Sequence, residues 1–308
     1  MNMLRPLSFR RKSSKTDGGG SGVGMGVSLD DHIRLGSASI EGTSHANEDK
    51  VFQMENLKAL SPSTSSMPDN ISFISVFDGH GGGRCSSYLS LAMHEKILGN
   101  ESFHSFQDAK QVLVDAFQSC EMEWNTIAER EMEYSGSCAL ACLISGLDVV
   151  FAHAGDCRAV CRMGKTTFQL TKDHRPSDPL EKARIYAAGG FIKNGRVMGS
   201  LAPSRGFGDL DVKKKAVSRN VVISDPEITT CRMEPSVRGL PSFLVCATDG
   251  IWDCMPAERA MDIVSKSLAK YNDEEQAAVK LCQVAAELNS DDCSAVVVIF
   301  PLTVSPVT

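Results

Sequence analysis

The chain has 308 residues, of which 42% are hydrophobic and 23% charged, and its formal net charge is −6. This length suits one large domain or two ordinary ones, and the composition is typical of a soluble globular protein with a substantial core. No run approaches the roughly 18 consecutive apolar residues of a membrane span. An acidic chain is also a poor ligand for nucleic acid, so we expect neither a membrane nor a nucleic-acid partner.

The first 28 residues differ in composition from the rest. The segment TDGGGSGVGMGVS follows no apolar strand and precedes no Gly-Lys-Ser/Thr, so it predicts a flexible linker and not a phosphate-binding loop. We therefore predict a flexible basic and glycine-rich extension over residues 1–28 and a folded domain over residues 29–302. The first 15 residues contain no acidic side chain and five basic ones, which are Arg5, Arg10, Arg11, Lys12 and Lys15.

The start of the chain and its cysteines bear on the compartment. No apolar stretch resembling a secretory signal is present, and the eleven cysteines include no C-x-x-C pair. Buried free thiols in a reducing compartment are therefore expected, which means the cytoplasm, the nucleus or both. Four interpretations of the basic start stay open: a nuclear signal, a contact with an acidic surface, an organellar transit peptide and a disordered tail.

Strand-like and helix-like segments alternate after a Ser/Pro-rich loop at residues 60–70. Strands and helices are predicted from apolar alternation and from 3.6-residue periodicity, respectively. Their clustering, without βαβ repeats, favours an α+β fold with antiparallel sheets faced by helices. In chain order the prediction is strand 71–77, helices 85–98 and 106–131, strands 138–144, 149–154 and 158–162, helix 179–188, strand 243–247, helices 256–270 and 273–288, and strand 295–300.

Carboxylates recur where these strands begin or end. Asp78 and Asp249 each follow an apolar strand and precede glycine, and Asp156 lies in a tight turn between two strands. Any one of these is an ordinary turn residue. Five such places together predict a site, because a carboxylate beside apolar strands must be paired or bound to metal. Oxygen-only ligands favour Mg²⁺ or Mn²⁺ over zinc. The other two places are Glu48–Asp49 and Asp291–Asp292, each just before a strand.

Nine segments together resemble the metal-dependent Ser/Thr protein phosphatases of the type 2C class. They lie within residues 36–300 in the family's order, and the ordered set is very specific. The resemblance implies a central antiparallel β-sandwich flanked by helices on both faces, in four layers, and it implies that residues 29–302 are the catalytic domain. The segments are NEDK, FISVFDGHGG, SGSCALACLI, VVFAHAGDCRAV, LTKDHRPSDPLEKARIYAAGGFI, RVMGSLAPSRGFGDLD, SDPEIT, FLVCATDGIWD and SDDCSAVVV.

The resemblance also implies a centre of two bridged Mg²⁺ or Mn²⁺ ions. Asp78 matches the carboxylate that bridges them. The Gly79 carbonyl and the Glu48 carboxylate match ligands of one ion, and Asp49 acts on it directly or through water. The implied reaction is attack of a hydroxide held between the ions on a phosphoserine or phosphothreonine ester, since paired ions activate water and clamp phosphoryl oxygens.

The remaining matches complete this implied site. Asp249 and Asp291 match ligands of the second ion, and Asp156 matches the aspartate of a third, looser site. Asp253 matches a carboxylate near that third ion. His80 matches the general acid that protonates the leaving alkoxide, and it follows directly on the metal-binding Asp-Gly pair.

One departure from the family pattern leaves an alternative open. The family usually carries a phosphate-binding arginine where this chain has Ser44, and serine cannot make the bidentate charged contact. His45 or a nearby basic residue is a candidate substitute. We expect an active phosphatase that acts as a monomer on a phosphoprotein substrate, with a protein kinase as a candidate partner. The alternative is a weakened or inactive relative that binds a phosphoprotein or a kinase.

Overall fold

A computed structural model describes residues 32–43, 45–60 and 66–302. The extension over residues 1–28 and the position of Ser44 therefore lie outside the described residues. The strands are β1 (Arg34–Ile40), β2 (Lys50–Met54), β3 (Ser72–His80), β4 (Gly136–Ser145), β5 (Asp148–Ala154), β6 (Arg158–Met163), β7 (Thr166–Gln169), β8 (Ile192–Lys193), β9 (Arg196–Val197), β10 (Phe207–Gly208), β11 (Glu227–Arg232), β12 (Phe243–Ala247) and β13 (Cys293–Ile299).

Two antiparallel sheets form the centre of the molecule. One has the strand order β1-β13-β12-β6-β7, and the other has the order β11-β5-β4-β3-β2, with β10 paired to β4. A small hairpin of β8 and β9 lies apart from both sheets. The helices are α1 (Arg84–Leu98), α2 (Ala109–Glu131), α3 (Pro179–Ala187), α4 (Leu210–Lys215), α5 (Asp249–Trp252), α6 (Ala257–Tyr271) and α7 (Glu274–Glu287), with 3₁₀ turns at Leu57–Leu60, Phe106–Asp108 and Arg219–Val221.

Successive side chains of each central strand point to opposite faces of its sheet, and this alternation produces the four layers. In β3, Phe73 and Phe77 pack against α1 and α2, whereas Ile74 and Val76 face the other sheet. In β13, the side chain of Val296 likewise points between the sheets, while its neighbours pack under α6 and α7. Because successive side chains of a strand point to opposite faces, each sheet buries both of its faces. The predicted helix–sheet–sheet–helix arrangement is confirmed.

The predicted elements match the structure closely, with differences at some ends. The helix predicted over 106–131 begins with a 3₁₀ turn, because Ser105 and Asp108 form a capping box there, and α2 proper starts at Ala109. The N-cap of α3 is Asp178, whose carboxylate accepts from the backbone N–H groups of Leu180 and Glu181 as its sequence indicates. All eleven cysteines have free thiols, nine of them buried. Within the described ranges, every helix is too short or too polar to cross a bilayer.

Candidate metal centre and acid–base pair

Three aspartates meet at one end of the β-sandwich. Asp78 lies near the end of β3, Asp156 in the turn between β5 and β6, and Asp249 at the start of α5, directly after β12. One carboxylate oxygen from each lies within 4.8 Å of those of the other two. Since β3 and β12 belong to different sheets, the site spans the end of the sandwich, where a rigid scaffold holds side chains that are far apart in sequence.

Burial and mutual repulsion favour the protonated forms of Asp78 and Asp249 when no metal ion is bound. Burial, and then the charges of Asp249 and Asp49, raise the pKa of Asp78 well above its usual range. Burial also raises the pKa of Asp249 to about 6, with Asp156 the next contributor. Carboxylates crowded in this way are held in the ionised form by a bound cation, so the group fits a hard divalent ion.

Asp49 joins the group from the start of β2. Its side chain is buried, and its Oδ2 accepts a hydrogen bond of 2.8 Å from the Thr248 hydroxyl. Burial raises the pKa of Asp49 to about 7, against the opposing effect of that hydrogen bond. Thr248 immediately precedes Asp249, so this contact ties the Asp49 strand to the loop that carries Asp249.

Glu48 and Asp291 lie on two loops, and hydrogen bonds to the Asp292 side chain connect these loops. The Asp292 carboxylate accepts hydrogen bonds of 2.7 Å from the Glu48 N–H and 2.8 Å from the Gly42 N–H. Asp291 and Asp292 both lie near the His45 ring, at 3.5 and 3.6 Å. The Asp292 carboxylate therefore positions the backbone of Glu48, a predicted metal ligand.

Two glycines allow these loops to approach the strand ends closely. A Cβ at Gly79 would lie 2.4 Å from the Glu48 carbonyl oxygen, and one at Gly250 would lie 1.9 Å from the Asp292 carbonyl oxygen. Neither distance is possible without a backbone shift. Glycine at these positions is therefore required to pack the Glu48 and Asp292 loops against the residues that follow Asp78 and Asp249.

His80, the last residue of β3, is paired with Asp209. Its Nε2 lies 2.9 Å from Asp209 Oδ1, and the other Asp209 oxygen has no hydrogen-bond partner among the described residues. Burial lowers the pKa of His80, but the charge and hydrogen bond of Asp209 outweigh burial, and the net shift is upward. The imidazole is therefore biased toward its protonated form, which is the form a proton donor needs.

The position of Asp209 depends on local backbone geometry. It has a left-handed backbone conformation (φ 55°) before α4 and is only 3% exposed. A Cβ at Gly136 would lie 2.4 Å from His80 Nε2, so only glycine leaves room for the pair. Asp209 lies in the segment RVMGSLAPSRGFGDLD but is not among the predicted site residues, since nothing in the sequence links it to a histidine 129 positions earlier.

Asp156 has a partner on each carboxylate oxygen. The Cys138 thiol donates to Oδ1 at 3.1 Å, which gives this cysteine a positioning role. Arg175 Nη1 lies 3.2 Å from Oδ2, and Arg175 Nη2 lies 3.5 Å from Asp253 Oδ1. The Arg175 guanidinium thus links Asp156 and Asp253, and no sequence pattern predicts this contact.

A second His-containing group, outside this site, does not suit a metal. His153, His174 and Glu227 have ligand atoms within 4.8 Å of one another. The Gly155 N–H donates to His174 Nδ1 at 3.2 Å, so the proton of the neutral ring is on Nε2, which points toward Glu227 at 3.4 Å. That nitrogen has no free lone pair for a metal, and burial lowers the pKa of His174 to about 3.

The predicted site residues fall into three connected parts. The first is the aspartate group of Asp78, Asp156 and Asp249, with Asp49 beside it. The second is the loop pair that carries Glu48 and Asp291, and the third is the His80–Asp209 pair. Asp253 reaches the first part through Arg175. Their assignment as ligands or as acid remains a prediction.

The raised carboxyl pKa values predict a pH-dependent stability for the metal-free protein. An unfolded aspartate has a pKa of about 3.9. In the folded chain, burial raises the pKa of Asp249 to about 6 and that of Asp49 to about 7. The folded state therefore binds more protons, and its stability is highest below the unfolded pKa and falls as pH rises through 6–7. In EDTA, we expect Tm to fall between pH 5 and pH 8.

Mn²⁺ should reverse this trend, because metal binding requires the ionised carboxylates and strengthens as they deprotonate. The measurement is differential scanning calorimetry from pH 5 to pH 8, with EDTA or with Mn²⁺. The Tm increase caused by Mn²⁺ should grow with pH, and Asp249→Asn should flatten the EDTA curve. An increase of equal size at every pH would contradict a carboxylate centre.

Comparisons with known proteins point to one family. The family model described as Protein phosphatase 2C matches residues 33–294. The Hypocrea jecorina protein "Protein phosphatase 2C homolog 2" is 34% identical over 82% of this chain and 57% of its own length. The Oryza sativa protein "Probable protein phosphatase 2C 2" is 32% identical over 87% of this chain and 71% of its own length. This chain therefore spans little more than half of the first relative.

Solved structures share the fold. The structure titled "Structure of a C.elegans sex determining protein" has a TM-score of 0.76 at 26% identity and covers 87% of this chain and 65% of its own. A serine-threonine phosphatase 2C from Toxoplasma gondii has a TM-score of 0.73 at 20% identity over 87% of this chain and 95% of its own.

Proposed function

The chain belongs to the protein phosphatase 2C family, and from this premise we propose that it is a metal-dependent phosphatase of phosphoserine and phosphothreonine in proteins. The observation that carries the proposal is that Asp78, Asp156 and Asp249 converge beside the His80–Asp209 pair. Because the chain covers only part of several relatives, the activity, substrates and partners of the whole protein are part of the proposal.

The carboxylate group would hold Mg²⁺ or Mn²⁺. Asp78, the Gly79 carbonyl and Glu48 would hold one ion, and Asp78, Asp249 and Asp291 would hold the other. Bound divalent ions would lower the pKa of a water molecule and neutralise phosphoryl charge. All of these donors are oxygens, which is the ligand set that hard cations prefer.

His80 would supply the proton that the leaving oxygen needs. A serine or threonine alkoxide is a poor leaving group, so protonation of the ester oxygen is part of the barrier. Asp209 accepts a hydrogen bond from the protonated ring and fixes its orientation. Glu121 holds the segment that carries Asp209, because its carboxylate accepts hydrogen bonds from the Gly208 N–H at 3.1 Å and from the Lys213 ammonium at 2.5 Å.

Arg175 is a candidate for the phosphate contact that Ser44 cannot make. Its side chain is 30% exposed, and its guanidinium lies between Asp156 and Asp253 without a bidentate contact to either. Arg175 Nε also lies 3.9 Å from Asp173 and Nη2 lies 4.0 Å from Asp249, so the second N–H of each Nη group is the donor that can turn toward a phosphoryl oxygen. The Arg175 guanidinium already offsets the negative charge of Asp156 and Asp253. A third metal ion at these two residues is a further proposal.

We propose residues 29–302 as the catalytic domain of a protein that acts as a monomer in the cytoplasm, the nucleus or both, with a phosphoprotein substrate and a protein kinase as a candidate partner. The direct test is phosphate release from a phosphothreonine peptide with Mn²⁺, with Mg²⁺ and with EDTA. Release with either ion, abolished by EDTA, is expected. Tight peptide binding without release would favour the inactive, phosphoprotein-binding alternative.

A substitution at Ser44, where the family usually has arginine, tests whether the missing arginine weakens phosphate binding. We expect Ser44→Arg to lower KM for a phosphopeptide, because a guanidinium contact with phosphate contributes a charge-assisted hydrogen bond. Steady-state kinetics of the two proteins give the comparison, with Thr43→Arg as the matched control. An unchanged or raised KM in Ser44→Arg, or an equal fall in the control, would count against this interpretation.

A further inference from the structure

A groove of about 830 Å³ lies at the end of the five-stranded sheet opposite the carboxylates. We call it the distal groove, and Arg34, Arg162, Lys165, Arg238, Leu240 and Lys266 line its opening. Strand β13 starts beside Asp292 and ends at Ile299 in the groove. Seven residues of strand at about 3.3 Å each separate the two sites by roughly 20 Å.

The distal groove has an apolar floor, and apolar side chains at its rim are exposed. Leu268 and Phe300 form buried parts of the floor. Val237 and Leu240, in the turn that precedes β12, are 49% and 40% exposed, and Leu302 is 39% exposed. Three large apolar side chains thus border one concavity without being covered by the described residues, which is typical of a surface that binds another molecule.

The charge of the distal groove is opposite to that of the chain. Its lining includes several arginines and lysines but only one acid, Asp262. That acid is already paired, since Arg162 Nη1 donates to it at 2.7 Å. Among the described residues, no carboxylate lies within 4.0 Å of Lys165, Arg238 or Lys266. A local basic surface on a chain of net charge −6 attracts acidic partners selectively.

We propose that the distal groove binds an acidic segment of a partner protein, with the acids of the segment on the basic rim and its apolar side chains on the floor. Residues 1–31, which precede the described part of the chain, are a poor occupant, because they include five basic and three acidic side chains. A symmetric contact with a second copy would bring two basic rims together, which is repulsive. The proposal is independent of phosphatase activity, and a segment bound here leaves the carboxylate site open.

The probe is a fluorescein-labelled peptide of sequence Asp-Glu-Leu-Asp-Glu-Phe-Asp-Glu, measured by fluorescence anisotropy against the full chain. One comparison peptide replaces Leu and Phe with Ser, and another replaces all acids with Lys. We expect saturable binding of the first peptide, at least about tenfold weaker binding of the serine peptide and no binding of the lysine peptide. Binding should weaken as salt increases.

The decisive variant is the double charge reversal Arg238→Glu with Lys266→Glu. Its matched control is Lys110→Glu with Lys280→Glu, which makes the same change in net charge at exposed positions outside the groove. The groove variant should lose at least about tenfold in peptide affinity, whereas the control should keep it within about threefold. Both should retain the Tm and the p-nitrophenyl phosphate hydrolysis of the parent protein.

A second variant, Leu240→Ser, tests the apolar contact at the rim without a change in charge, and it should weaken binding of the first peptide but not of the serine peptide. Equal losses in the groove and control variants would overturn the proposal, as would the absence of saturable binding. Binding to phosphatidylserine vesicles, but not to the peptide, would also overturn it and would assign the surface to a membrane.

Discussion

An Asp78→Asn variant is expected to lose more than about 100-fold in Mn²⁺-dependent phosphopeptide hydrolysis. Removal of a residue that only orients a metal ligand typically costs about 10–100-fold in affinity or activity, and Asp78 is the predicted ligand of both ions. Asparagine keeps the shape but cannot carry the charge that offsets two cations. The measurements are kcat/KM for the peptide and the Mn²⁺ affinity by isothermal titration calorimetry.

The same variant distinguishes a lost ligand from a lost fold. Burial and the neighbouring carboxylates raise the pKa of Asp78, so its ionised form is destabilising in the metal-free chain. Asp78→Asn should therefore have a Tm in EDTA at pH 8 no lower than that of the parent protein, and Mn²⁺ should raise it less. The exposed Asp69→Asn is the control. Full activity in Asp78→Asn would contradict the proposed centre.

Replacement of His80 with alanine should lower kcat for a phosphoserine peptide by about 10²–10⁴-fold, the usual contribution of a general acid. The loss should be much smaller with p-nitrophenyl phosphate, because nitrophenolate leaves without a proton. A structural role for His80 would reduce both rates equally. Comparison of the two substrates at saturating Mn²⁺ therefore isolates proton donation.

Asp209→Asn should reproduce part of this substrate-dependent loss. Asparagine keeps a hydrogen-bonding oxygen but removes the charge that raises the pKa of His80. The alkaline limb of the peptide rate profile should therefore move to lower pH, since the imidazole loses its proton earlier. Asp211→Asn, at a half-buried residue paired with Lys215, is the matched control. An unshifted profile in Asp209→Asn would remove Asp209 from this role.

Much of the fold could be predicted from local pattern. Strand β3 reads as an apolar run that stops at Asp78, and α3 carries its cap, its first-turn proline and its terminal glycines in sequence. Strands β1 and β11 were not predicted. Ser37, Ser39 and Gly36 interrupt the apolar pattern of β1, and β11 is an edge strand with polar threonines. Such strands form because neighbouring strands provide the pairing.

The sequence predicts a common carboxylate site for hard cations, but it does not give the geometry of that site. Turn chemistry and strand ends identified Asp78, Asp156 and Asp249 without their mutual distances. The pairing of His80 with Asp209 and the place of Arg175 between two carboxylates depend on packing between distant segments. Neither leaves a periodic or spacing signal along the chain, so both required the structure.

The most direct test of the account is anomalous diffraction from crystals soaked in Mn²⁺. We expect two adjacent peaks bridged by Asp78, with Asp249 and Glu48 among the surrounding oxygen donors. The same soak of Asp78→Asn should show weaker peaks or none. Manganese bound only at the His45, Asp291 and Asp292 group, with no peak beside Asp78, would contradict the claim that this end of the sandwich is a two-metal centre.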